Sequence, residues 1–573
     1  MKNLPINDVT YWLPESVAEL MTLVQQAKDN NQTIAVRGAA HSFPMVKQAE
    51  QANMAHPNTS LYIMLSHLNS VTFDRPNYRV TVQAGCHLGY DPFDPTGVSK
   101  LENSLLYQLD PFYLDGMRPD LTGWCLPDLG GISHQTVGGF IATGSSGGST
   151  KFAFENAIVA VDLVYYGHQN PDDPGSPVGV YQKTVQRPAP ANLDDDFFGL
   201  AFANLGMMGI ITAVTFDCSP VAFTDPQGNT YRTFDIAGQE AITTIDTCAV
   251  NLFSTHAPGP TARPDLQTFL QQTDYTRLIW WPQTDLEATP PNPGRVVVWQ
   301  AKRTVPQSSG TNPYVPYSPY QELTYTPGGA VPVPGSMPPG LLPLAMLADL
   351  LFTAIGQWPI WLENVLGPNN PLTTIIEKGV ADNRQTIFQD LLNVFVKLDP
   401  LGQHQQFSDS WWRGLPMDNQ MSDKLFPVWF TELWIPIEQT TALMNELHAF
   451  YKSDPNHAST FCVEIYAAGR TDFWLSPAYQ HDVIRIDIFW FANNTGDPIA
   501  YYSLFWNLLR KYKFRPHWGK YMPNPAQDPA WKGYLAANYP KWDQWHALRQ
   551  KMDPYQLLVS DYWRDRLEIL QPH

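Results

Sequence analysis

Gly123–Ser149 reads GWCLPDLGGISHQTVGGFIATGSSGGS, and eight of these twenty-seven residues are glycine. Pairs at Gly130-Gly131, Gly138-Gly139 and Gly147-Gly148 alternate with hydroxyls at Thr143, Ser145, Ser146 and Ser149. Such a run leaves backbone amides bare where something bulky has to come close. An earlier stretch has the same character. The short apolar run Thr33–Arg37 (TIAVR) reads as a buried strand and passes at once into Gly38-Ala39-Ala40-His41-Ser42. Two loops of this kind can cradle a pyrophosphate with backbone amides and need no lysine. Neither is a dinucleotide fingerprint: no GxGxxG stands between strand and helix with an acid ~20 residues on, and no GxxxxGK[ST] occurs. Tight turns without a ligand are the competing reading of the loops taken alone.

Outward from these loops, the first hundred residues alternate helix and strand. Pro14-Glu15-Ser16 opens a helix whose apolar face is Val17, Leu20, Met21, Val24 and Ala27. Strands are expected at 61–65 and 78–84, and a further pair at 157–166 and 209–216 closes the region near residue 220. Beyond it the strands change flavour: YTRLIWWP, RVVVWQAKR, PVWFTELWIP, FCVEIYAAG and VIRIDIFWF, with helices at 344–357, 370–398 and 437–453 between them. The pattern predicts an α+β chain. Residues 1–220 form a first domain, 221–505 a second with a large antiparallel sheet covered by helices, and 506–573 a C-terminal segment. Proline marks one interruption. The chain has 51 prolines in 573 residues, against a typical ~5%, and they crowd into an insert at about 290–343. Its segment TNPYVPYSPYQELTYTPGGAVPVPGSMPPG, residues 311–340, cannot be helix or central strand; it is either a surface excursion or a wrapped loop in a substrate lid, and Tyr314, Tyr317, Tyr320 and Tyr325 favour a packed one.

Composition narrows the function. A net charge of −18 repels phosphate backbones and anionic lipid, which argues against nucleic-acid and polybasic membrane roles. Hydrophobic residues at 44% and charged residues at 16% make a globular chain rather than a disordered one. No stretch reaches the ~18 apolar residues of a spanning helix. The N-terminus lacks a secretory pattern, so the expected address is cytoplasmic. Five scattered cysteines, Cys86, Cys125, Cys218, Cys248 and Cys462, exclude a disulfide framework and the common metal clusters.

VRGAAHSF, LPDLGGISHQTVGGFIATGSSGGS, NLGMMGIIT and RPHWGK, in that order, resemble the vanillyl-alcohol-oxidase/PCMH flavoprotein family. WLSPAYQHD and MDPYQLLVSDYW resemble its aldonolactone and alditol oxidase branch, with the covalent-flavin sterol oxidases as cousins. The middle of the chain, about 225–460, matches only loosely. The resemblance implies a PCMH-type FAD domain, a substrate domain capping the flavin, and a C-terminal segment returning to it. It assigns to FAD Arg37, Gly38, Ala39, Ala40, His41, Ser42, Gly130, Gly131, Thr136, Gly139, Ile141, Ala142, Thr143, Gly144, Ile210 and His517. His41 matches the histidine that the family often joins covalently to the flavin; a non-covalent contact is the alternative. Cys125 lies near a second attachment point of berberine-bridge-type relatives, but Leu126 puts it out of register, and a plain buried cysteine reads better.

At the substrate end, the alditol branch carries Glu-x-Arg on the strand before WLSPAY; this chain has Glu464 and, for the arginine, Tyr466. Strand alternation puts Cys462, Glu464 and Tyr466 on one face, and Arg485, Asp487 and Phe489 on one face of the next strand. Lys520 matches a substrate-contacting lysine. Glu464, Lys520 and Tyr466 are the expected catalytic set, with Phe489 and Glu432 at the substrate. The plainer readings are a structural ion pair for Glu464 and Lys520, and pairing of Glu432 with Arg485 or Arg277, which ranks first for Glu432. Gly131, Tyr466 and Phe489 replace polyol contacts, so a fairly apolar alcohol is expected over a polar sugar. The expected activity is FAD-dependent oxidation of a small-molecule CH–OH donor, with O₂ reduced to H₂O₂. Aldonolactone or alditol oxidation, and a dehydrogenase with another acceptor, are the alternatives. Gly130, placed where the family gates oxygen, favours the oxidase.

Overall fold

The computed structural model describes residues 1–571, apart from 56–58, 114–115, 222, 254–262, 284–293, 309–313, 318–387, 391, 394–395, 400–404, 417–427, 459–460, 493 and 495. The expected first helix forms at Val17–Asp29. Ser16 caps it by accepting from the Glu19 amide, and Leu20, Leu23, Val24 and Ala27 turn inward. Around it lies a sheet of β1 (Lys2–Ile6), β2 (Val9–Leu13), β3 (Thr33–Arg37) and β4 (Ser60–Met64), in the order β1-β2-β4-β3 with β4 parallel to both β2 and β3. The β1–β2 hairpin has no signal in the sequence reading, because β1 is largely exposed and carries Pro5.

A second, antiparallel sheet follows: β5 (Val71–Asp74), β6 (Arg79–Gln83), β7 (Ile158–His168), β8 (Val178–Gln186) and β9 (Ile210–Asp217), in the order β5-β6-β9-β7-β8. Its β7 and β9 are the strand pair expected near residue 220. A two-residue-per-strand hairpin, β10 (Phe223–Thr224) and β11 (Thr230–Tyr231), leads out of it.

The third sheet holds β12 (Asp235–Thr244), β13 (Tyr275–Trp281), β14 (Arg295–Thr304), β15 (Gln405–Ser410), β16 (Val428–Pro436), β17 (Val463–Ala468), β18 (Val483–Phe491) and β19 (Arg515–Pro516). Their order is β15-β12-β14-β13-β17-β18-β16-β19, antiparallel throughout. Helices Thr440–Ser453 and Pro498–Leu509 cover one face, where Trp280 meets Tyr451 at 5.1 Å and Tyr451 meets Phe505 at 5.7 Å. The class is α+β. The segment after β19 runs back to the first sheet, where the Ile34 amide donates to the Leu557 carbonyl at 2.6 Å.

Tyr314 and Tyr317 are packed, as expected: Tyr314 donates to the Gln307 carbonyl at 2.7 Å, and Tyr317 to Glu240 at 2.7 Å. The remainder of the proline-rich segment with Tyr320 and Tyr325, and the expected 344–357 helix, lie outside the described residues, as does most of 370–398. Among the described residues no helix is long and apolar enough to cross a membrane.

Candidate active site

The uncovered face of the third sheet looks onto the two glycine-rich loops, and between them runs a cavity of about 370 Å³. At one end its wall is mostly backbone and small side chains, drawn from within the stretches 34–42, 130–146 and 204–211. Gly38 shows why. A Cβ there would stand 2.4 Å from the Thr136 hydroxyl, so only glycine lets the two loops close on each other. Ala40 adopts a left-handed backbone (φ 66°), and His41 follows it onto the wall. Neighbours packed around the His41 imidazole push its pKa down to about 3, with His134 and Lys520 adding to the effect. It is therefore neutral at physiological pH and keeps a nucleophilic nitrogen. The His134 ring, unassigned in the sequence reading, lies 5.9 Å from it.

The other end is built by side chains from the sheet. Cross-strand register places Glu432, Asp487 and Glu464 side by side on β16, β18 and β17. The next level holds Trp434, Arg485 and Tyr466, and the level on the other side Phe430 and Phe489. Phe430 and Phe489 stack at 4.7 Å, and the Lys520 ammonium sits 4.0 Å above Phe430. Each outer carboxylate has a guanidinium. Arg485 donates to Glu432 at 2.6 and 2.8 Å, and Arg277 binds Glu464 through Nε. Although burial works against it, Arg485, with His517 and Lys520, holds Glu432 below the ordinary carboxylate range. Burial first, then the neighbouring Glu464, push the Tyr466 phenol well above its usual value, so it remains a donor.

Arg485 also donates to the Ser146 and Gly147 carbonyls at 3.0 and 2.7 Å. One side chain thus fastens the sheet to the glycine loop. His517 lies at the junction: its Nδ1 accepts from the Gly519 amide at 3.0 Å, and its Nε2 is 3.4 Å from the Ser145 hydroxyl. Burial brings this imidazole down to about 4, so it is neutral, and acceptance at Nδ1 puts the proton on Nε2.

The cavity wall gathers the residues expected at cofactor and substrate, with two exceptions. Ile141 points into the apolar core, and Gly144 (φ 67°) packs against Ala203 behind the wall; both fall on the buried side of the short helix Val137–Ala142 and its end. The pairing ranked first for Glu432 is observed, with Arg485 as the partner, and Glu464 is paired too, with Arg277. Cys125 is off the wall, its thiol on the Arg232 carbonyl at 3.2 Å, as a plain buried cysteine. Gly130 lines the cavity, but a Cβ there would meet the Phe140 ring at 2.9 Å; at Gly131 a Cβ would meet nothing within 4 Å. The sequence offers Arg485 as a partner for Glu432 and sets Asp487 beside it on one strand face, with no role for Asp487. The signal available was the alternation in VIRIDIFWF, but which register faces which carboxylate depends on pairing across three strands.

The donor set suits FAD: glycine-rich loops for a diphosphate, and a charged end where the reacting ring would lie. An FAD-binding-domain description matches residues 10–90, and a D-arabinono-1,4-lactone oxidase description matches 392–566. Over 557 residues the chain is 21% identical to L-gulonolactone oxidase of Mus musculus, covering 96% of this chain and 93% of that one. The Scyliorhinus torazame L-gulonolactone oxidase is 22% identical over 559 residues with the same coverage. Among solved structures, a His121Ala mutant of cholesterol oxidase from Brevibacterium sterolicum superposes with a TM-score of 0.61 at 14% identity, covering 97% of this chain and 94% of that one.

Proposed function

We propose, from the premise that the chain belongs to the vanillyl-alcohol-oxidase/PCMH family of FAD-dependent oxidoreductases on its aldonolactone-oxidase side, that it oxidises the carbinol of a hydroxylated lactone and uses O₂ as acceptor. The observation that carries the reading is the charged level Glu432–Asp487–Glu464, flanked by Arg485, Tyr466 and Lys520, on the sheet side of the cavity. It departs from the expectation of an apolar substrate. The polar contacts absent at Gly131, Tyr466 and Phe489 are offset by Arg485, set beside Tyr466 with its guanidinium 4.6 Å from the ring, and by Asp487. The full-length likeness to two L-gulonolactone oxidases supports the same choice.

Bound FAD supplies the hydride acceptor and the route for two electrons to O₂, giving H₂O₂. The chain's own residues do the rest. Lys520 and the Tyr466 hydroxyl hold the substrate oxygens as donors, and the Glu464 carboxylate, ion-paired with Arg277, takes the carbinol proton. His41, as a neutral imidazole, is the residue for covalent attachment. Acid precipitation of purified protein tests that link: the yellow colour stays with the chain and leaves it in His41→Ala.

A second reading, oxidation of a less polar alcohol, draws on one feature: the Phe430–Phe489 stack with Val428 beside it on the cavity wall. An H₂O₂ assay across aldonolactones, alditols and hydrophobic alcohols decides between them. A kcat/KM higher by about ten-fold for a hydrophobic alcohol than for any lactone would favour the second reading and refute the first.

A further inference from the structure

Asp487 is the middle of three carboxylates that stand at one level on adjacent strands, with Glu432 and Glu464 as its cross-strand partners. Strands lie about 4.8 Å apart, so three ionised carboxylates there would repel one another strongly. The cations are unevenly shared. Arg485 is drawn to Glu432, which also accepts from the Trp434 indole at 2.7 Å; Arg277 is drawn to Glu464. The middle residue is 2% exposed, lines the cavity, and has an Oδ1 without a hydrogen-bond partner. A buried polar atom left unpaired is costly unless a ligand completes it.

We propose that Asp487 is a specificity-determining residue whose protonated carboxyl donates a hydrogen bond to the carbonyl oxygen of the lactone substrate. This rests on the lactone reading above. The groups facing Asp487 are Glu432 from β16, Glu464 and Tyr466 from β17, Arg485 on its own strand, and Lys520 from the loop after β19. Burial, then Glu432 and Glu464, raise its carboxyl well above the ordinary range, and Arg485 and Lys520 oppose them without reversing the direction. A neutral carboxyl is a donor, whereas an ionised one only accepts. A lactone carbonyl can only accept, so the two are complementary. An alditol offers hydroxyls alone, which the surrounding ionised carboxylates serve equally well. Asp487 therefore selects the carbonyl-bearing substrate by an interaction the alditol does not need.

The test uses the flavin-loaded enzyme, with L-gulono-1,4-lactone and xylitol as probes, in wild type, Asp487→Asn and Asp487→Leu. Wild-type kcat/KM for the lactone should fall on the alkaline side as Asp487 ionises. Asp487→Leu should raise KM for the lactone by about ten-fold or more while retaining FAD. Asp487→Asn, which keeps a neutral donor, should recover most of that loss and remove the alkaline limb. The lactone-to-xylitol ratio should drop in Asp487→Leu alone. Independently of turnover, the wild-type minus Asp487→Asn infrared difference spectrum at pH 7 should contain a carboxylic-acid C=O band, which separates Asp487 from other buried acids such as Asp128 and Glu155. A missing band, an unchanged alkaline limb in Asp487→Asn, or equal losses in the two variants would overturn the proposal. Absence of lactone turnover in wild type would overturn the lactone reading and the acceptor assigned here, while the band still reports whether Asp487 carries the proton.

Discussion

The two ends of the cavity are made of different material. At the glycine loops the wall is backbone, and the controlling fact is what is missing: no side chain at Gly38, where one atom more would strike Thr136. On the sheet the wall is side chain, and the controlling fact is register, which sets Glu432, Asp487 and Glu464 in line and gives two of them an arginine. A backbone-built end binds whatever carries a diphosphate and is insensitive to many substitutions outside its glycines. A register-built end is specific, and each buried charge in it depends on the others. Arg485 belongs to both, since it bonds Glu432 and the loop carbonyls of Ser146 and Gly147.

The most damaging way to break the comparison is therefore Arg485→Met. It leaves Glu432 buried without its counter-charge, and removing one partner of such a pair costs about 3–5 kcal/mol. Thermal unfolding should show a matching loss, together with weakened FAD retention; an unchanged melting temperature would mean the two ends are not coupled through this residue. Next, Lys520→Ala should lower kcat/KM by about 10²–10⁴ with FAD content intact, whereas Gly38→Val should do the reverse and strip the flavin. Their separate readouts, turnover per bound FAD and flavin absorbance per chain, sharpen the division between the ends; a shared phenotype would erase it.

How far the sequence announces each end follows from the same contrast. The glycine loops, the strand Thr33–Arg37 and the alternating strands around Glu432, Glu464 and Arg485 are visible in the sequence, because a bare backbone needs glycine and a one-sided strand needs alternation. What is not visible is which strand neighbours which. The step from β13 to β17 joins segments more than a hundred residues apart, and β16 pairs with β18 rather than with β17, its next neighbour along the chain, so neither the pairing of Glu464 with Arg277 nor the lining-up of Asp487 with two glutamates could be read from spacing. Their place in the motif points Ile141 and Gly144 toward the cofactor, yet Ile141 occupies the inner side of a short helix and Gly144, just past its end, packs against Ala203.

A smaller effect concerns protons. His517 titrates at about 4 in the folded protein, against about 6.5 in an unfolded chain. Between those values the unfolded state binds the extra proton, so stability falls as pH drops through that window, by up to about 1.4 kcal/mol per pH unit from this one group. His517→Asn should flatten the acid side of the melting-temperature profile by that much; an unchanged slope would mean His517 is already protonated in the fold. Smallest of all, Gly131→Val should place its side chain in open space and slow reoxidation of the reduced enzyme in air by about ten-fold, about 1.4 kcal/mol, without loss of stability. Gly130→Val should instead strain the packing against Phe140. Equal reoxidation in Gly131→Val and wild type would move the oxygen path elsewhere.

The central claim, that a lactone is oxidised on the charged sheet face by flavin held in the glycine loops, is tested most directly by mixing the yellow enzyme with L-gulono-1,4-lactone in the absence of oxygen. The account predicts that the visible flavin absorbance bleaches in wild type, returns on admitting air with release of H₂O₂, and bleaches at least a hundred-fold more slowly in Lys520→Ala. A yellow wild-type enzyme that no aldonolactone bleaches, or a Lys520→Ala variant that bleaches as fast as wild type, would contradict it.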